Sequence, residues 1–155
     1  MKTMRKRNTN AAQRILIAIL LIATLLSLAS CDSKVSTATS VLVDQFEDVW
    51  ILGAKEFTDI ELFHSGDTPC YYIGYDTVNE GENIHVNAII VTDTLTETSL
   101  HYIHSVDFER TERNKKYHQA YLDAQENGTV YVFSAEEIEE IQQNLYDKLG
   151  TDFIE

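Results

Sequence analysis

Two cysteines and five histidines are the residues of this 155-residue chain best suited to nucleophilic or metal chemistry. A thiolate beside an imidazole makes a nucleophile with its base, and Cys70 with His64 is the combination to weigh. The surrounding Pro69-Cys70-Tyr71-Tyr72 matches no peptidase signature, and a free cysteine also packs as a small buried hydrophobe. Burial is the expectation for Cys70. His101 and His104 form the pair that invites a metal, with His85 as the third histidine such a site would recruit. Zinc needs three or four ligands at roughly 2.0–2.3 Å. Residues three apart on a strand point to opposite faces, so this pair converges only if the segment is helical. No His-Glu-x-x-His spacing accompanies it. Surface or core-edge histidines, without a bound metal, are expected.

Other chemistry is weaker still. The segment from Asp76 to Asn83 has Gly81 at the sixth position, as a calcium-binding EF-hand loop would. Val78 at the third position and Asn87 at the twelfth break that pattern, and a solvated hairpin turn explains the same residues. There is no Gly-x-Ser-x-Gly elbow and no glycine-rich phosphate loop. Catalytic, cofactor-binding and metal-ligating residues are therefore expected to be none. Eight tyrosines, among them Tyr71, Tyr72, Tyr75 and Tyr102, offer instead an aromatic surface of the kind enriched at interfaces.

The second cysteine has a different setting. Lys2, Arg5, Lys6, Arg7 and Arg14 form a basic head without an acid, followed by an apolar run from Ile15 to Ala29. That is the layout of a secretory signal peptide. Its run of about 15 residues is short of the roughly 17–25 that span a bilayer. Leu28-Ala29-Ser30-Cys31, at the end of the run, resembles the lipobox of bacterial lipoproteins. The resemblance covers only the leader, and it implies a diacylglyceryl thioether on Cys31, cleavage after Ser30, and acyl chains that anchor the chain to membrane lipid. Two or more chains hold firmly where one is marginal. In enteric-type sorting, Asp32 after the lipidated cysteine would imply retention at the inner membrane.

Cleavage would leave residues 31–155, with seven basic residues against all 25 acids, a net charge of −18. Such a surface repels phosphate backbones, so no nucleic-acid partner is expected. It also disfavours lying flat on anionic lipid. The remaining length suits one domain. With Cys31 lipidated, Cys70 has no intrachain disulfide partner.

The elements that must position these residues follow from hydrophobic period. Residues 31–40 are small and polar and are expected to form a lipid-anchored tether, with one acidic domain over 41–155. Leu42, Phe46, Val49, Trp50 and Gly53 suit one helical face, capped by Ser40 and ending near Glu56, or else Val49 to Leu52 is a strand. Asp59 to His64, Cys70 to Val78, Ile84 to Thr92 and Leu100 to Phe108 read as four strands separated by short turn sequences. In the fourth, Leu100, Tyr102, His104, Val106 and Phe108 are assigned to one face. Thr111 to Glu126 reads as a helix ended by Asn127-Gly128, Thr129 to Phe133 as a fifth strand, and Ser134 to Glu137 as a capping box opening a last helix. The expected fold class is α+β: a single antiparallel sheet of about five strands with two or three helices packed on one side.

These readings point to a membrane-anchored, extracytoplasmic bacterial lipoprotein. Its domain is expected to be a non-catalytic binding or assembly module that meets another envelope protein or a small ligand. The alternative is a thiol- or metal-dependent envelope hydrolase, which requires Cys70 beside a histidine or convergence of His85, His101 and His104.

Overall fold

A computed structural model describes residues 33–45, 56–92 and 100–150. The leader, Cys31 and the segment carrying Val49 to Leu52 lie outside the described residues.

The domain is α+β, with one open antiparallel five-stranded sheet and three helices. In chain order, α1 covers residues 33–45, and β1 (Glu56–Ser65), β2 (Thr68–Asn79), β3 (Glu82–Thr92) and β4 (Leu100–His104) follow. After them come α2 (Glu112–Glu126), β5 (Tyr131–Val132) and α3 (Ala135–Leu149). Spatial order is β4-β3-β2-β1-β5. The first four strands are thus a meander, and the chain returns through α2 to add β5 at the opposite edge.

Turn chemistry explains the meander. The β2–β3 hairpin closes on Glu80 and Gly81, both at positive φ (50° and 85°), between the paired Asn79 and Glu82. A two-residue type I′ turn requires that conformation twice, and it matches strand twist. The β1–β2 hairpin closes on Gly66 and Asp67 between paired Ser65 and Thr68, with only Gly66 at positive φ. That suits a type II′ turn, whose first position favours glycine.

Register divides the sheet into two faces. Phe63, Cys70, Tyr72, Ile89, Val91 and Ile103 share one face and pack against Phe108 and, on α2, Tyr117, Ala120, Tyr121 and Ala124. The Tyr121 ring stacks on Tyr72 at 4.4 Å and meets Phe63 at 5.3 Å. On the other face, Ile60, Tyr71, Ile73, Tyr75, Val86, Ala88 and Ile90 are also buried. Burial therefore extends to both faces, where the sequence pattern placed helices on one side. The continuous buried run Ala88 to Val91 is the signature of a strand covered twice. α3 packs beside β1, with Ile141 and Leu145 fully buried, and it opens with the expected capping box of Ser134 and Glu137.

Three local expectations change. Of the stretch read as a polar tether, the described residues 33–40 are helical, and Ser40 lies inside α1 rather than capping it. Ala38, Thr39, Leu42 and Val43 are buried on it, a helical spacing that a run of serines and threonines conceals. The fourth strand stops at His104, whose Nδ1 accepts from the Val106 N–H at 3.2 Å and starts a 3₁₀ turn over Ser105–Asp107. Consequently Ile103 faces the α2 core, Val106 is 79% exposed, and Phe108 re-enters the core through the turn rather than along the strand. The fifth strand is two residues long, and Thr129 and Val130 precede it as irregular chain.

Candidate contact surface

Cys70 sits between Phe63 on β1 and Val91 on β3, with no exposed surface. Its Sγ donates to the Thr68 carbonyl at 3.6 Å. Burial pushes the thiol pKa up to about 12, which keeps it protonated and a poor nucleophile at neutral pH. His64 neighbours Phe63 in sequence, so it alternates to the opposite face, where it is exposed. His101 shares the Cys70 face, but Val91 lies between them in register. Two strand spacings put them about 10 Å apart, beyond proton-transfer distance.

The histidines likewise diverge. His101 pairs with Val91 and His104 with Ala88, on opposite faces of β3. His85 is at the far end of β3, and His118 lies on α2, stacked on Phe108 at 4.5 Å and bonded to Glu109 at 3.0 Å. Among the described residues no three His, Cys, Asp or Glu side chains are grouped to hold a metal.

A different set does come together. α2 covers only the half of its sheet face that lies toward the β1–β2 turn. Toward the β2–β3 turn the same face carries Asp59, Gly74, Asp76, His85 and Asn87, in the pairings Asp59↔Gly74↔Asn87 and Asp76↔His85. A register shift between Phe57 and Asp59 inserts Thr58 as an extra residue, re-aiming the side chains around it as bulges do. The Thr58 hydroxyl donates to Asp59 Oδ2 at 2.9 Å. Gly74 forms the floor. A Cβ there would come within 2.9 Å of Asp59 Oδ2, 2.9 Å of Thr58 Oγ1 and 3.3 Å of Asn87 Oδ1. These oxygens occupy the space a side chain would fill.

His85 links this floor to Asp76. Its Nδ1 lies 2.8 Å from Asp76 Oδ1 and its Nε2 3.2 Å from Asn87 Oδ1. Both partners as placed are acceptors, an arrangement met in full by the imidazolium, which has two donors. The hydrogen bond to Asp76 correspondingly raises the His85 pKa. One row closer to α2, Tyr121 donates to Glu61 Oε2 at 3.0 Å and accepts from Gln125 Nε2 at 2.7 Å. Burial and then Glu61 push the Tyr121 phenol well above its ordinary value. The open half is thus an acidic, acceptor-rich surface bounded by the stacked Tyr72 and Tyr121.

Chemically, this arrangement can accept hydrogen bonds and neutralise cationic groups. Its best-placed hydroxyl, Thr58, is committed to Asp59 as a donor. Sequence reasoning took 76–83 as a solvated turn and did not connect it to Asp59 or Asn87. Gly74, inside a strand rich in tyrosine, was the available signal, because a strand-interior glycine marks a close approach.

The sheet edge provides a second concavity. Beyond the short β5, Phe57, Thr58, Ile138, Gln142 and Tyr146 line an open groove of about 500 Å³. The Phe57 N–H donates to Gln142 Oε1 at 3.2 Å, and Gln142 Nε2 donates to the Tyr146 hydroxyl. An α3 side chain thereby satisfies one backbone N–H of the β1 edge beyond β5.

No helix among the described residues is long and apolar enough to cross a membrane. No known protein family, curated protein or solved structure matches this chain.

Proposed function

We propose that the chain is a lipid-anchored protein of a bacterial envelope whose extracytoplasmic domain is a non-catalytic binding or assembly module. The anchor is Cys31, at the end of the basic and apolar leader. The observation that carries the binding reading is the half-face around Gly74, where Thr58 bonds Asp59, and His85 bonds Asp76 and Asn87, with no helix among the described residues over them. Fixed acceptors on a rigid sheet suit a partner that presents hydrogen-bond donors or cationic side chains. The partner class is another envelope protein, with a small donor-rich ligand as the second form of the same reading.

The hydrolase alternative draws no support from the geometry. Its thiol is enclosed by apolar side chains, and its histidines point apart. The test is crosslinking of the lipidated protein in its own membrane, comparing wild type with an Asp59→Asn, His85→Ala variant. A reproducible partner that is lost in the variant supports the reading. Equal recovery by both, or no partner at all, removes it.

A further inference from the structure

We infer that the groove between the β1 edge and α3 takes an extended peptide carrying basic side chains, which joins the sheet as a strand in line with β5. This goes beyond the half-face around Gly74 and does not depend on the lipid anchor. The sheet edge supplies the first observation. β5 pairs with β1 at Glu61 and Leu62, and the next bond runs from the Phe133 N–H to the Ile60 carbonyl. At Ser134 the chain turns into α3. Among the described residues, no strand therefore pairs with β1 from Glu56 to Asp59 on that side. A side chain meets the edge there instead. Gln142 Oε1 accepts from the Phe57 N–H at 3.2 Å, and its Nε2 donates to the Tyr146 hydroxyl. A glutamine amide is the same chemical group that the backbone of a neighbouring strand presents. Its bond to Phe57 lies at the long end of the N–H···O range, so a peptide carbonyl can take its place. In strand addition of this kind, backbone bonds give affinity and side-chain pockets give specificity.

Size and charge select the occupant. The groove's volume of about 500 Å³ falls within the roughly 300–1,000 Å³ of ligand sites. Its α3 wall runs from Ala135 to Tyr146, about 16 Å at 1.5 Å per residue. That is the length of about five residues of strand. Phe57 and Ile138 give the lining its apolar part and Glu56 and Glu139 its charge, while none of the described residues lining it is basic. A short segment that alternates apolar residues with lysine or arginine complements this lining, and an acidic segment is repelled.

The net charge of −13 draws any cationic peptide, so the experiment separates the groove from the overall field. The full chain is purified in an uncharged detergent, and binding of a fluorescent five-residue peptide of alternating lysine and valine is read by anisotropy. Glu56→Gln together with Glu139→Gln should weaken binding about fivefold. Asp67→Asn together with Glu126→Gln removes the same charge from exposed positions outside the groove, and should leave binding unchanged. N-methylation of the two valines keeps the peptide's charge but blocks backbone pairing, and should weaken binding about tenfold. Gln142→Ala removes the competing acceptor and should bind at least as tightly as the wild type. Equal effects of the two charge pairs overturn the groove as the site. Indifference to N-methylation, or weaker binding by Gln142→Ala, overturns strand addition. No binding by a chain that sedimentation shows to be dimeric gives the groove to a second copy, and no binding by a monomer removes the site outright.

Discussion

The two halves of the α2-side sheet face are built on the same strands and obey the same alternation, yet they differ in kind. Toward the β1–β2 turn, Phe63, Cys70, Ile89 and Val91 are sealed beneath Tyr117, Tyr121 and Ala124. Toward the β2–β3 turn, Asp59, Gly74, Asp76, His85 and Asn87 continue the same columns, with Asp59, Asp76 and His85 exposed and no helix among the described residues over them. Alternation along a strand decides which side a residue faces. Cover decides whether that position must be apolar. The 15-residue α2 is too short to shield β2 and β3 along their whole length, since at 1.5 Å per residue it spans about 22 Å, while the 12-residue β2 spans about 40 Å. The remaining sheet is left for polar groups that must hold one another.

The sharpest way to break the comparison is to truncate one side chain to alanine in each half. Phe63→Ala opens a cavity in the sealed half and should cost about 3–5 kcal/mol. Asp59→Ala on the open half should stay within about 0.5 kcal/mol. Urea unfolding followed by circular dichroism reads both. Comparable losses would mean that the open half is also a packed core.

Cys70 sharpens the same contrast through reactivity. A thiol near 12 rather than 9 holds roughly a thousandth of the usual thiolate at pH 8. Alkylation of the folded domain should therefore be at least 100-fold slower than in urea. The pH dependence follows from the direction of the shift. The folded state keeps this proton where the unfolded state loses it, so the contribution is fully present below pH 9 and is lost as pH rises toward 12. Rapid labelling at pH 8 would place the thiol outside the core.

Gly74→Ala is the counterpart on the open half. Its Cβ would overlap Asp59 Oδ2 and Thr58 Oγ1, and displacing them should cost about 1–2 kcal/mol. Adding Asp59→Ala should return part of that loss, because the two sites are in contact and their effects are not additive. A double-mutant cycle with no coupling would show that the oxygens do not crowd the glycine.

How far the sequence reveals this arrangement depends on the range of the interactions. The meander, α2 and α3 were legible because turn residues, period and the Ser134–Glu137 box act within a few residues of themselves. α1 was hidden because a serine- and threonine-rich run resembles a linker until Ala38 and Leu42 are known to be buried. The end of β4 was missed because the His104 side chain, and not a turn residue, captures the Val106 N–H. The Gly74 cluster was the least legible part. Its members stand on three strands, and only the register of β1, β2 and β3 brings Asp59, Gly74 and Asn87 into one row.

The mildest perturbation asks whether the open half is electrostatically organised at all. His85 and Asp76 are an exposed pair, and such pairs contribute about 0–1 kcal/mol, so Asp76→Asn should scarcely move the urea midpoint. It should still lower the His85 pKa toward 6.5, because the bond to Asp76 is the leading cause that raises it. In the wild type the stabilisation from this pair is fully present below pH 6.5. It fades as pH rises through the elevated folded value, where the imidazolium loses its proton. Imidazole proton shifts followed by NMR read the titration directly. An unchanged His85 titration in Asp76→Asn would mean that the two side chains do not pair in solution, and the open half would then lack the order that distinguishes it from ordinary acidic surface.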